Sequence, residues 1–309
     1  MILKRISIIK QYPWIKRRKQ KFIVSADYDG LICSSFLNHH LNWELVGYYN
    51  LESIWISSSA VESKENLIWV DLNILPQQGR SIGGHIVSIK GEKHTGFETS
   101  CNPNIIAGLT SNDFNKKFPF STVLFLMWLN NIQINEGDWE RFLILHSDAT
   151  WAKAQHYTNN VKTWISLLSD YNFDNLIHHA RNKSFEKKID QVFYPKFMEI
   201  GAISGFSKLT GKGNKIKSRE SKINPDWDED IILRLFDLFG QKLGWTPPNL
   251  PNITNRVDGK RSRVELSEVR DIGIKKFIKR NKIFSYTITS PKYLNFTSFG
   301  LTYKSPMKN

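Results

Sequence analysis

The sequence predicts an α/β fold, with a mostly parallel sheet and flanking helices, plus a smaller basic C-terminal α+β region. Short apolar runs alternate with helix-like segments in the first half of the chain, a pattern typical of parallel sheets. Three of these runs end in aspartate. Charge also divides along the chain, because both ends are basic and the middle is acidic. These observations favour an acidic site inside a protein that attracts polyanions.

The first predicted elements form a strand, a turn and a helix. Residues 22–24 are apolar and predict a buried strand that stops at residues 27–30, Asp-Tyr-Asp-Gly. Residues 31–43 predict a helix, since their leucines and phenylalanine have near-helical spacing. Further strands are predicted in three apolar segments: residues 45–49, 66–71 and 82–89.

The next elements are predicted from longer apolar segments. Residues 120–132 follow a proline, are rich in Leu and Phe, and predict a buried helix. Residues 142–145 are continuously apolar and predict a strand that ends before Asp148. Residues 150–168 predict a helix with an apolar face.

The composition changes beyond residue 200. Residues 201–224 combine glycine with lysine and predict a loop or linker. An acidic start at 225–230 predicts a helix through about 242, because carboxylates favour the positive end of the helix dipole. Residues 283–303 alternate polar and aromatic side chains and predict a small β-element. The predicted organisation has four regions: a basic segment 1–21, an α/β domain 22–200, the linker 201–224 and a basic domain 225–309.

Composition excludes several classes of protein. The chain has 309 residues, 40% of them hydrophobic, which is enough for a sizeable core. Its two cysteines cannot form a disulfide framework. Apolar runs of the roughly 18–20 residues that cross a bilayer do not occur. We therefore expect a soluble, cytoplasmic protein without a membrane partner.

The basic ends predict a nucleic acid or oligonucleotide partner. Residues 1–21 carry eight Lys/Arg and no acid, and residues 182–309 carry 25 basic against 13 acidic side chains. Such regions bind phosphate backbones, although a solvated basic face remains an alternative. Aromatic residues after 282 are available for base stacking. The candidate nucleic-acid-binding residues are Lys208, Lys212, Lys215, Lys217, Arg219, Lys260, Arg261, Arg263, Lys275, Lys276, Lys279 and Arg280.

The candidate catalytic and metal-binding residues follow the predicted strands. They are Asp27, Asp29, Asp71, His85 and Asp148. Because ligands bind at the carboxyl ends of parallel strands, we expect these side chains at one sheet edge. Carboxylate and imidazole suit Mn²⁺ or Mg²⁺, and two such ions can activate water against a phosphodiester. The alternative for each aspartate is a helix cap or an Asx-turn.

The motifs resemble those of the DHH phosphoesterase superfamily over roughly residues 20–170. Residues 25–30, Ser-Ala-Asp-Tyr-Asp-Gly, resemble its first motif, His-x-Asp-x-Asp-Gly. Val70-Asp71 resembles the second, Ile82-Gly83-Gly84-His85 lies where the Asp-His-His signature is expected, and Asp148 has the place of the fourth-motif aspartate.

The resemblance implies an α/β enzyme that uses two Mn²⁺ or Mg²⁺ ions to hydrolyse phosphoesters in single-stranded nucleic acids, oligonucleotides or cyclic dinucleotides. It makes Asp27, Asp29, Asp71 and Asp148 metal ligands, with Asp71 bridging the ions, and His85 either a further ligand or an electrophile. Ser25 stands in place of a ligand histidine, and Gly83-Gly84 in place of two further signature residues. The first hypothesis is therefore a metal-dependent phosphoesterase. The second is a catalytically inactive DHH-like subunit that binds nucleic acid within a larger complex.

Weaker alternatives use the same residues differently. The pair Asp27 and Asp29 also matches the nucleophile turn of haloacid-dehalogenase-like phosphatases, but Gly30 departs from that pattern. His146 and His156 flank Asp148 and are candidates for the missing imidazoles.

Overall fold

The computed structural model describes residues 2–62, 66–72, 80–89, 92–135, 137–168, 170–202 and 223–299. The chain forms two units, each assembled from separate stretches. The helical unit comprises Met1–Arg17, Ala26–Leu41 and Pro119–Pro248. The sheet unit comprises Arg18–Ser25, Asn42–Phe118 and Asn249–Asn309.

The described residues of the sheet unit form ten strands in two sheets. The strands are β1 (Lys21–Ser25), β2 (Glu44–Tyr49), β3 (Ser53–Ser57), β4 (Ile68–Val70), β5 (Arg80–Ile82), β6 (Ser100–Cys101), β7 (Ile253–Asp258), β8 (Lys260–Glu265), β9 (Ile283–Ile288) and β10 (Tyr293–Ser298). The larger sheet has the order β6-β5-β4-β1-β2-β3-β7. Its first five strands in that order are parallel, whereas β3 pairs antiparallel with both β2 and β7. The predicted fold class is confirmed, including the small C-terminal sheet.

The strand β1 lies at the centre of the larger sheet. Phe22, Ile23 and Val24 are fully buried, as expected for a parallel strand covered on both faces. β2 pairs with one edge of β1 and β4 with the other. The order in which strands are added to the sheet therefore changes direction at β1. Ligands of open α/β sheets bind at the carboxyl ends of the strands beside such a reversal.

The smaller sheet has the order β8-β10-β9. Ile288, Tyr286 and Leu294 of this sheet pack into a buried cluster with residues that include Ile86 and Phe97. The α-helices described in the sheet unit are short: α3 (Ser58–Glu62), α4 (Pro103–Ile106), α13 (Leu266–Ile272) and α14 (Ile274–Arg280). α3 contacts the larger sheet, and α13 and α14 contact β8 and β9 of the smaller one.

The helical unit is built around a buried helix. Its helices are α1 (Arg5–Gln11), α2 (Tyr28–Leu41), α5 (Thr122–Asn130), α6 (Asp138–His146), α7 (Thr150–His156), α8 (Thr158–Leu167), α9 (Phe173–Ala180), α10 (Lys183–Lys188), α11 (Tyr194–Ile200) and α12 (Glu229–Leu243). α2 packs against α5 and α12. Leu31, Ile32 and Phe36 of α2 are fully buried, which explains why apolar residues occur on every side of this helix.

Three predicted elements differ from the structure. The strand predicted at 142–145 is wrong, because these residues belong to α6; a short apolar run does not distinguish a strand from a buried helix. The strand predicted at 82–89 ends at Ile82, before the two glycines. The helix predicted at 150–168 is divided at Tyr157, whose backbone leaves the helical region.

The predicted linker 201–224 falls outside the described residues except for its first two and last two positions. The five basic candidates from Lys208 to Arg219 lie outside them as well. Among the described helices, none combines the length and apolar character that crossing a membrane requires.

We expect His94 to make the sheet unit sensitive to acid. The ring is buried, lies 3.8 Å from the Phe97 ring between centroids, and its Nε2 is 3.2 Å from the Tyr286 hydroxyl oxygen. Burial, assisted by the charge of Lys275, lowers the pKa of His94 from 6.5 to about 4. Between these values the unfolded chain binds a proton that the folded chain does not. Lowering the pH from 6.5 to 4 should therefore reduce the free energy of unfolding by up to about 3 kcal/mol.

Urea unfolding across this pH range measures the effect. His94→Gln should flatten the dependence, whereas His156→Gln, at an exposed position, should leave the slope unchanged. Equal slopes for the wild-type protein and His94→Gln would contradict the assignment.

Candidate active site

A buried carboxylate marks the carboxyl ends of β1 and β4 in the sheet unit. Asp71 follows β4, and its side chain is only 4% exposed. Its Oδ2 accepts a hydrogen bond from the Ser25 hydroxyl at 2.7 Å, and its Oδ1 lies 3.0 Å from Nε2 of His85. The backbone of Asp71 is left-handed, with φ at 59°. Non-glycine residues in this region are uncommon and concentrate at functional sites.

The chemistry of the carboxylate fixes the proton on His85. An ionised carboxylate only accepts hydrogen bonds, so the Nε2 atom facing Asp71 carries the hydrogen. In the neutral ring Nδ1 then carries the lone pair, which is the arrangement of a base oriented by a carboxylate. The His85 side chain is 31% exposed, so the ring is accessible from solvent.

The segment after β5 places His85 beside Asp71. The backbone N–H of Asp71 donates to the carbonyl of Ile82 at 2.8 Å, which holds the two segments together. Asn104 donates from its amide to the Gly84 carbonyl at 2.6 Å. A side chain at Gly84 would place its Cβ 2.7 Å from the Phe118 ring, so this position requires glycine. Gly84 thus has a packing role.

Lys117 adds a positive charge next to His85. Its Nζ donates to the His85 carbonyl oxygen at 3.0 Å and lies 5.2 Å from the centroid of the Phe114 ring. Sequence reasoning missed Lys117 because it lies 32 residues from His85 in the chain and belongs to no motif.

Asp29 belongs to the helical unit and anchors the beginning of α5. Its carboxylate accepts hydrogen bonds from the backbone N–H groups of Thr122 at 2.9 Å and Val123 at 3.3 Å. Ser147 donates its hydroxyl at 2.5 Å, and the Cys33 thiol lies at 3.6 Å. A negative charge at a helix N-terminus is favourable, so the burial of Asp29 has a structural explanation. Sequence reasoning missed Ser147, which has no motif of its own.

The other two predicted aspartates also lie in the helical unit. The side chain of Asp27 accepts a hydrogen bond from the backbone N–H of Gly30 at 3.0 Å. This is the contact expected of a residue that caps the N-terminus of α2. Asp148 forms an ion pair with Lys153 at 2.6 Å and has a left-handed backbone, with φ at 50°. Asp148 follows α6 and not a strand, so its predicted place at a strand end is wrong.

The five predicted ligands are divided between the two units: Asp27, Asp29 and Asp148 belong to the helical unit, and Asp71 and His85 belong to the sheet unit. Within the described residues, His, Cys, Asp and Glu side chains form no group of three or more suited to hold a metal ion. The structure brings Asp71 and His85 together as one carboxylate and one imidazole. The carboxylate oxygens of Asp29 accept hydrogen bonds from protein donors, and the carboxylate of Asp148 forms an ion pair with Lys153.

The candidate nucleic-acid-binding residues that the structure describes are exposed in the sheet unit. They lie on β8 and α14: Lys260, Arg261, Arg263, Lys275, Lys276, Lys279 and Arg280. This exposure is compatible with polyanion binding and with an ordinary basic surface.

We expect Asp29→Asn to destabilise the protein by about 3 kcal/mol, because the amide would leave buried donors unsatisfied. Ser147→Ala should have a smaller effect, and a double-mutant cycle between the two should give a coupling of about 0.5–3 kcal/mol. The control is Asp138→Asn, which removes a half-exposed ion pair with Lys188 and should cost less than about 1 kcal/mol. Urea unfolding measures all four variants, and additive effects of Asp29→Asn and Ser147→Ala would contradict the anchoring contact.

No protein-family model, curated protein or solved structure matches this chain. Its function is therefore inferred from the contacts of Asp71 and His85.

Proposed function

We propose that this protein is a phosphoesterase that hydrolyses a phosphodiester in nucleic acid or an oligonucleotide, with His85 as its general base. The observation that carries the proposal is the buried Asp71 carboxylate, hydrogen-bonded to Ser25 and to Nε2 of His85. Its place at the carboxyl ends of parallel strands supports this assignment, since open α/β sheets bind ligands there.

In this reaction, water attacks phosphorus while Nδ1 of His85 takes its proton. The bond from phosphorus to the leaving oxygen breaks, and that oxygen departs with a proton from His85 or solvent. Asp71 keeps the imidazole in one tautomer and stabilises the positive charge that forms on it. Ser25 fixes the second carboxylate oxygen, and the charge of Lys117 favours the approach of a phosphate.

The test measures hydrolysis of labelled single-stranded oligonucleotides, a cyclic dinucleotide and bis(p-nitrophenyl) phosphate. Each assay is run with a chelator and with Mn²⁺ or Mg²⁺, because the resemblance implies these ions. His85→Ala should lower kcat by about 10²–10⁴-fold, the contribution usual for general-base catalysis. Asp71→Asn should lower kcat with little change in KM, since it disturbs the orientation of the base and not binding.

The matched control for Asp71→Asn is Glu98→Gln. It removes the same charge from an exposed position of the sheet unit and should leave kcat unchanged. Full activity in His85→Ala would overturn the assignment of the base. Loss of activity in Glu98→Gln as well would show that net charge, and not the dyad, controls the rate.

The second candidate is a catalytically inactive nucleic-acid-binding subunit. The contacts of Asp29 with α5 and of Asp148 with Lys153 favour it, because each gives a predicted ligand a structural partner. This candidate predicts salt-sensitive oligonucleotide binding without hydrolysis under any of the ions tested.

A further inference from the structure

The smaller sheet has one apolar and one polar face. Successive side chains of a strand point to opposite faces of the sheet. On the polar face, the pairing of β8, β10 and β9 aligns side chains from all three strands in two rows. One row is Arg261–Thr297–Ser285, and the other is Arg263–Asn295–Thr287. We call the side carrying these six residues the polar face. The opposite side contributes Leu294 and Ile288 to the buried core.

A small cavity, with room for about one water molecule, opens on the polar face. Its lining includes Arg261, Asn295, Thr287, Ser285, Thr297 and Leu51. The Ser285 hydroxyl is 2.6 Å from the Tyr49 hydroxyl, and the Thr297 hydroxyl donates to the Leu51 carbonyl. Burial raises the pKa of Tyr49 to about 12.

Three side chains that line the cavity carry hydrogen-bond donors. Within the described residues, the side chains of Arg261, Asn295 and Thr287 have no hydrogen-bond or ion-pair partner. A guanidinium, an amide and a hydroxyl together supply donors for a tetrahedral oxyanion, and the planar guanidinium binds phosphate in a bidentate manner. The site therefore suits a phosphate group better than an apolar ligand.

A stacking surface lies beside the cavity. The guanidinium of Arg263 lies 3.8 Å from the centroid of the Tyr293 ring, which holds its plane against the aromatic side chain. Bases of single-stranded nucleic acids stack on such arginine and aromatic planes. The row beyond Arg263 pairs Glu265 with Tyr293, so a negative charge borders the basic part of the face on that side.

We propose that the polar face binds single-stranded nucleic acid, with a backbone phosphate against the exposed guanidinium of Arg261 and a base on the Arg263–Tyr293 pair. Asn295 and Thr287 donate to the phosphate oxygens. The proposal concerns binding alone and goes beyond the hydrolysis assigned to His85, so either one can fail without the other.

The experiment uses the full chain with His85→Ala in every variant and a chelator in the buffer, so that hydrolysis does not affect binding. Fluorescence anisotropy measures the affinity for a fluorescein-labelled oligothymidylate at several salt concentrations. Arg261→Ala should weaken binding about tenfold, the effect of losing a charged hydrogen bond, and reduce the salt slope by about one. Arg261→Lys should restore the slope but not the affinity, because lysine keeps the charge and lacks the bidentate fork.

The matched control is Lys260→Ala. Lys260 is the exposed neighbour of Arg261 on β8, pairs with Ser298 and lies on the opposite side of the sheet. Its loss should weaken binding by less than about twofold, as for an exposed charge without a specific partner. Equal losses for Arg261→Ala and Lys260→Ala would overturn the proposal, as would equal affinity for duplex DNA. Binding of inorganic phosphate without oligonucleotide binding would overturn the assignment to nucleic acid.

Discussion

A carboxylate that is buried must be hydrogen-bonded, and Asp71 satisfies this requirement by connecting three segments of the sheet unit. Ser25 ends β1, Asp71 follows β4 and His85 follows β5, three strands that are neighbours in the larger sheet. The order of the strands thus makes the contact possible, and the contact sets the tautomer of His85. Without the carboxylate, the imidazole would lose the hydrogen bond at Nε2 that sets this tautomer.

The same requirement acts on Asp29 with a different result. Its carboxylate is buried among the backbone N–H groups that begin α5 and the hydroxyl of Ser147. Here the hydrogen bonds join α2 to α5 and to the turn after α6, and so stabilise the helical unit. Two aspartates that look alike in the sequence therefore have different surroundings, one with an accessible imidazole beside it and one with helix donors. This difference explains why the proposed chemistry involves Asp71 and not Asp29.

Much of the sheet and part of the site could be predicted from the sequence. Continuous apolar runs identified β1 and β2, and Asp71 and His85 were both predicted as site residues. The strand predicted at 142–145 was wrong because α6 is buried on most sides, which removes the helical periodicity. Arg261 and Arg263 were predicted as nucleic-acid-binding candidates, but the roles of Ser147 and Lys117 and the side chains that surround Arg261 on the polar face could not be predicted, because each depends on contacts between residues far apart in the chain. The pairing of β8 with β10 is one example, since it alone places Arg261 beside Thr297.

We propose that Asp71 holds His85 with its proton on Nε2 and its lone pair on Nδ1. Long-range ¹⁵N–¹H NMR of the imidazole nitrogens tests this directly, with the His85 signals assigned by their loss in His85→Asn. At a pH where the ring is neutral, we predict protonation at Nε2 in the wild-type protein and a mixture of tautomers in Asp71→Ala. A ring protonated at Nδ1 in the wild-type protein, or a tautomer unaffected by Asp71→Ala, would contradict the claim.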